Sequence, residues 1–175
     1  RFLQESTHNL ARWIGWGNQQ RGGMSDLQLI INGDDLGRTP ALNQGIICAH
    51  QQGVLTSASL MVTAAAADEA VMHARSAPRL AVGLHLALTG VRPASPTWAP
   101  RLLDASGRLR GDPVRIGVAC FFSPAARAAL RAEIGAQIAL FRATRLVPSH
   151  VDGHLLMHLH PTVYPILITL AEQHG

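Results

Sequence analysis

Leu27-Gln28-Leu29-Ile30-Ile31-Asn32-Gly33-Asp34-Asp35-Leu36-Gly37 joins an apolar run to two adjacent acids and a glycine-bounded turn. Leu27 to Asn32 reads as a β-strand, short and apolar enough to be buried on both faces and closed by polar residues. Three similar runs follow, Thr56 to Val62, Leu80 to Leu88 and Ser149 to Gly153. Helix-like stretches lie between and after them, at 41–51, 64–76, 124–142 and Pro161 to His174. Such alternation marks βα units around a mostly parallel sheet, an α/β fold. In the 124–142 stretch Pro124 stands near the start, and Leu130, Ile134, Ile138 and Phe141 recur at helical spacing. The stretch 90–123, punctuated by Pro93, Pro96, Pro100 and Pro113, reads as a long loop bordering a binding site. Four units cannot close an eight-stranded barrel, which takes about 250 residues. The sheet is therefore open, or the chain is part of a longer barrel.

Residues 1–23, with Trp13 and Trp16 but no sustained period, read as an appendage, disordered or not native, ahead of a domain spanning 24–175. The 175 residues are 47% hydrophobic and 15% charged, enough for one buried core. The formal charge of +4 comes from scattered arginines, densest at Arg101, Arg108, Arg110 and Arg115. That spread reads as a solvated surface, and no nucleic-acid-binding motif accompanies it. Cys48 and Cys120 lie far apart in apolar settings and read as buried, reduced thiols. No apolar run reaches the roughly 18 residues of a membrane span, and no secretion signal opens the chain, so a cytoplasmic protein is expected.

Asp34 and Asp35 stand where functional groups collect in parallel α/β folds, at a strand's C-terminal end. Adjacent residues there point to different sides, so one carboxylate can bind a metal while the other takes a proton from water. The alternative is an Asx turn capping the helix that starts near Pro40. His85, inside the apolar run Val82 to Leu88, is either a hydrogen-bonded core residue or a ligand. Four of the nine histidines fall between His150 and His160. If the strand extends far enough, His150, Asp152 and His154 share one face, which suits a metal site. His158 and His160 follow the run and contact substrate or border the loop. Few protein ligands with room for water form a catalytic rather than a structural pattern, open to zinc, manganese, cobalt or magnesium.

With these motifs in order, residues 27–175 resemble the YdjC-like carbohydrate deacetylases, relatives of the polysaccharide deacetylases. The matching blocks are Asn32 to Gly37, Asn43 to Ile46, Gly53 to Val62, Val82 to Leu86 and His150 to Pro161. The block Leu55 to Val62 and the closing His158-Leu159-His160-Pro161 look closest to the branch associated with hopanoid biosynthesis, called HpnK. The resemblance implies a polysaccharide-deacetylase-like (β/α) barrel of which this chain is the N-terminal portion, its sheet not closed. It implies one divalent ion, magnesium or zinc first and manganese or cobalt next, held by Asp35, His85 and His154. Asp34 is then the candidate base, and the two acids could exchange roles. Asn43, His150, Asp152, His158 and His160 fall to substrate binding or to orienting the ligands. Gly33 stands where the family usually has alanine, Leu36 where phenylalanine is common, and Leu156 where relatives tend to carry histidine.

The implied activity is hydrolysis of the N-acetyl group of an amino sugar or sugar-bearing lipid, with a small carbohydrate or glycolipid as substrate. A second reading is a non-catalytic fragment that binds metal or sugar. Its open sheet edge would associate with a partner or with another copy as a homo-oligomer. A third is a metal-dependent hydrolase of another amide or ester.

Overall fold

A computed structural model of the chain describes residues 29–174. The expected appendage at 1–23 lies outside the described residues. Four strands, β1 (Asn32–Leu36), β2 (Ser57–Leu60), β3 (Ala81–Leu86) and β4 (Pro148–Gly153), form one parallel sheet in the order β1-β2-β3-β4. Helices α1 (Pro40–Gln52), α2 (Ala67–Arg75), α3 (Pro113–Phe122), α4 (Pro124–Ala143) and α5 (Val163–His174) connect or flank them. The α/β architecture with an unclosed parallel sheet is the one the alternation predicts.

Two element assignments change. The first strand runs over Asn32–Leu36 rather than Leu27–Asn32, and Leu29 and Ile30 are 72% and 78% exposed. Pairing, not hydrophobicity, sets its start: Ile31 is held by Thr56, and the ladder with β2 begins at Asn32 opposite Ser57. The 90–123 stretch is not all loop, because α3 fills its last part. Pro113 there is a helix start: Asp112 accepts hydrogen bonds from the backbone N–H groups of Val114 and Arg115 at 2.9 and 3.2 Å. The same cap-then-proline device opens α1 at Thr39-Pro40 and α4 at Ser123-Pro124.

Leu36, Leu60, Leu84 and Leu86 from the strands meet Leu130, Ile134 and Phe141 of α4 and Val163, Leu167 and Leu170 of α5 in one core. Each large aliphatic so buried contributes about 1.5–3 kcal/mol. Two polar side chains share that helix face, Glu133 and Gln137, both fully buried. Gln137 accepts from the Ala87 N–H at 3.1 Å and donates to the Ala87 carbonyl at 2.7 Å and to Glu133 at 2.7 Å. Glu133 in turn accepts from the backbone N–H groups of Ala94 and Ser95, both at 2.9 Å, and from the Trp98 indole at 3.3 Å. The pair therefore pins the chain as it leaves the C-terminal end of β3.

Cys120 is buried as expected, but Cys48, on α1, is exposed. Burial pushes the Cys120 thiol up to about 11. In the native protein at pH 8 a thiol reagent should modify Cys48 quickly and Cys120 only after unfolding, as a time course of thiol release would show. Gln137→Leu, which takes a paired partner from buried backbone, should lower stability by about 2–4 kcal/mol in urea unfolding.

Candidate metal centre

The acids owe their placement to a bulge. Asn32 and Gly33 pair with Ser57 and Ala58, but Leu36 pairs with Leu60, so β1 carries one residue more than β2 over this interval. Asp35 takes up the excess in a left-handed conformation, φ 62°. Such bulges re-aim side chains at sheet ends, and aspartate is among the residues that tolerate this backbone. The helix that follows is capped by Thr39, which leaves both carboxylates free of the capping task. Asn43, expected near substrate, is fully buried; its amide accepts from the Gly37 N–H at 2.7 Å and donates to the Ala66 carbonyl at 3.1 Å. It braces the turn after the acids.

Three ligand-type side chains meet at the sheet's C-terminal end. One ligand atom from each of Asp35, His85 and His154 lies within 4.8 Å of the others. Asp35 Oδ1 is 3.1 Å from His85 Nε2 and 2.9 Å from His154 Nδ1, while Asp35 Oδ2 accepts from Arg38 at 2.7 Å. Arg38 escaped the sequence reading; it lies three residues past Asp35 and reaches back across the turn that follows β1. His154 does not extend the strand as expected: β4 ends at Gly153, and Leu155 and Leu156 turn the chain away with φ of 53° and 57°.

His150 and Asp152 do share a face of β4, since both reach Ser59 on β2. Asp152 also lies 2.8 Å from His85 Nδ1. That carboxylate–imidazole contact places a proton on Nδ1 and turns the Nε2 lone pair toward Asp35. His158 and His160 stand apart from the cluster. The His158 ring lies over Gly153 with its buried Nδ1 unpartnered, and His160 accepts from the Thr162 N–H and meets Phe121 edge-on. Asp34 is exposed, with Oδ1 2.7 Å from Asn32 Nδ2. A groove of about 410 Å³ between α2 and α4, lined by Val71, Met72 and Leu140 among others, contains none of these residues.

Burial works against charge here, and the neighbours outweigh it. Desolvation alone would raise the pKa of Asp35, yet the hydrogen bond from Arg38 and the charges of His154 and His85 hold it below the ordinary carboxylate value. Desolvation would lower His85, yet the Asp152 hydrogen bond and the nearby Asp152, Asp35 and Asp34 charges raise it. For Asp152 burial again raises, and contact with His85 and Ser59 brings the pKa down. His150 is lowered, chiefly by burial. A raised His85 between depressed acids means that the cluster favours positive charge at its centre. A divalent cation supplies that charge, and two imidazoles with one carboxylate form a donor set of the catalytic type.

The chain matches the family model described as YdjC-like protein over residues 28–175. It is 38% identical over 148 residues to a carbohydrate deacetylase of Brevibacillus brevis, covering 85% of this chain and 57% of that protein. A carbohydrate deacetylase of Geobacillus stearothermophilus is 37% identical over 147 residues, covering 83% and 56%. A solved structure from Enterococcus faecalis, described as a cellobiose-phosphate cleavage protein, superposes with a TM-score of 0.68 at 33% identity, covering 85% of this chain and 57% of that one. The chain thus spans little more than half the length of the relatives it matches.

Titration calorimetry with zinc should show a single site. Asp35→Asn, His85→Gln and His154→Gln should each abolish it, and Asp152→Asn should weaken it about 10- to 100-fold.

Proposed function

Because this chain belongs to the YdjC-like family, we propose that it carries the metal-holding part of a hydrolase that removes acetyl groups from N-acetylated amino sugars, free or borne on a lipid. The observation that carries the reading is the convergence of Asp35, His85 and His154 with a second carboxylate, Asp34, next to a ligand. The names of the two deacetylase relatives support the substrate class.

Asp35, His85 and His154 would hold the ion, zinc or magnesium first, with manganese and cobalt also compatible. When bound, such an ion polarises an amide carbonyl and lowers the pKa of water. Asp34 is the base in this reading, supported by its exposure and by its bond from Asn32 at Oδ1, which leaves Oδ2 to take a proton from the attacking water. The water oxygen adds to the acetyl carbon, the C–N bond breaks, and acetate departs as the amine takes up a proton. Asp152, behind His85, keeps that imidazole oriented throughout.

Acetate release from N-acetylated mono- and disaccharides and from an N-acetylated glycolipid, with zinc or magnesium added, tests the proposal. Asp34→Asn should retain zinc affinity and lose about 100- to 10,000-fold in kcat. An unchanged rate in that variant would remove Asp34 from the mechanism. Zinc and sugar binding without turnover would favour the non-catalytic reading, and hydrolysis confined to unrelated amides or esters the third.

A further inference from the structure

Ser59 is fully buried on β2, between the strand that bears the acids and the strand that bears His85. Its Oγ lies 2.7 Å from Asn32 Nδ2, 2.8 Å from Asp152 Oδ2 and 2.9 Å from His150 Nε2. A serine hydroxyl has one proton to give and two lone pairs to receive. The Asn32 amide nitrogen only donates, and the ionised Asp152 carboxylate only accepts. The hydroxyl proton therefore goes to Asp152, and the lone pair left over faces His150. His150 Nε2 must carry a proton, which makes its Nδ1, 2.8 Å from Ser149 Oγ, an acceptor.

Each neighbour is constrained in turn. With Oδ2 of Asp152 engaged by Ser59, Oδ1 faces His85 Nδ1 at 2.8 Å. Asn32 donates one amide proton to Ser59 and the other to Asp34 Oδ1 at 2.7 Å, and its carbonyl accepts from Ser57 Oγ at 2.6 Å. Glycine makes the reach across β3 possible. Gly83 pairs with Ser59 in the ladder, and a Cβ there would lie 2.5 Å from the His150 ring. Any side chain at position 83 would occupy the path from β4 to β2.

We infer that Ser59 is a positioning residue: its hydroxyl fixes His150 with its proton on Nε2 and holds in place the Asp152 carboxylate that fixes His85 with its proton on Nδ1, opposite tautomers on neighbouring strands. Through Asn32 it ties Asp34 to the same frame. Its effect on metal affinity rests on the reading that Asp35, His85 and His154 hold the ion; the tautomers do not.

Nitrogen-15 spectra of labelled histidine in the metal-free protein, recorded well above the histidine titration range, should show His85 as the Nδ1–H form and His150 as the Nε2–H form. Ser59→Ala should return His150 to a tautomer mixture, leave His85 in the Nδ1–H form that Asp152 still imposes, and weaken zinc binding about 10- to 100-fold, as loss of a group behind a ligand does. Ser59→Thr, which keeps the hydroxyl, should preserve both. His150 as the Nδ1–H form in the unaltered protein would overturn the inference even if Ser59→Ala fails to fold. So would a folded Ser59→Ala variant with the His150 tautomer and zinc affinity unchanged. If the His150 tautomer responds to Ser59→Ala but the unaltered protein binds no zinc, the metal reading fails and the placement of Ser59 stands.

Discussion

Electron pairs that point at one another repel unless something positive lies between them, and the sheet's C-terminal end is built around that constraint. Asp35 Oδ1 stands about one hydrogen-bond length from nitrogens of both His85 and His154. Asp152 draws the proton of His85 to the far side of the ring, so the near nitrogen has none to offer in the neutral state. The arrangement is stable when a charge sits inside it, either an added proton on an imidazole or a cation. The raised pKa of His85 and the depressed pKa of Asp35 are the protonic form of the same preference. A divalent ion satisfies it with more charge and more coordination sites.

The strands reach that end by irregularity. β1 gains a residue against β2 before Leu36, and β4 gains one against β3 between Pro148 and Val151. The first puts Asp35 itself into the cluster, and the second lies just ahead of Asp152 and His154. A regular ladder would have kept strict alternation and faced one of each pair of neighbours into the core. Bulges free Asp34 and Asp35 from that choice.

Much of this was legible in the sequence and some of it was not, for separable reasons. The βα alternation and the four strands could be read because each is a local pattern, a period closed by a polar exit; the grouping of Asp35, His85 and His154 came with the family resemblance, since a histidine in an apolar run is by itself either a core residue or a ligand. The start of β1 could not, because Leu29 and Ile30 signal burial while the ladder depends on where Ser57 lies. α3 hid behind prolines that mark loops on average but mark a helix start after a capping aspartate. Glu133 and Gln137 were missed although they fall on the stripe of Leu130, Ile134 and Phe141, where a polar side chain has to find partners. Ser59, inside the strand run Thr56 to Val62, carries no local signal of a role. Its partners come from β1 and β4, and no window of sequence contains them.

The left-handed backbone at Asp35 also acts as a sieve on what evolution or design can place there. Glycine, asparagine and aspartate enter that region most readily and β-branched side chains least, although Arg145, Leu155 and Leu156 also adopt it in this chain. Glutamate, the obvious homologue with the same charge, meets both a longer reach and a less forgiving torsion. Of the small set that fits the bend, aspartate alone brings a negative charge. The bend of the chain and the charge set between His85, His154 and Arg38 thus select the same residue independently, and a drift in either requirement would leave the other still holding position 35 in place.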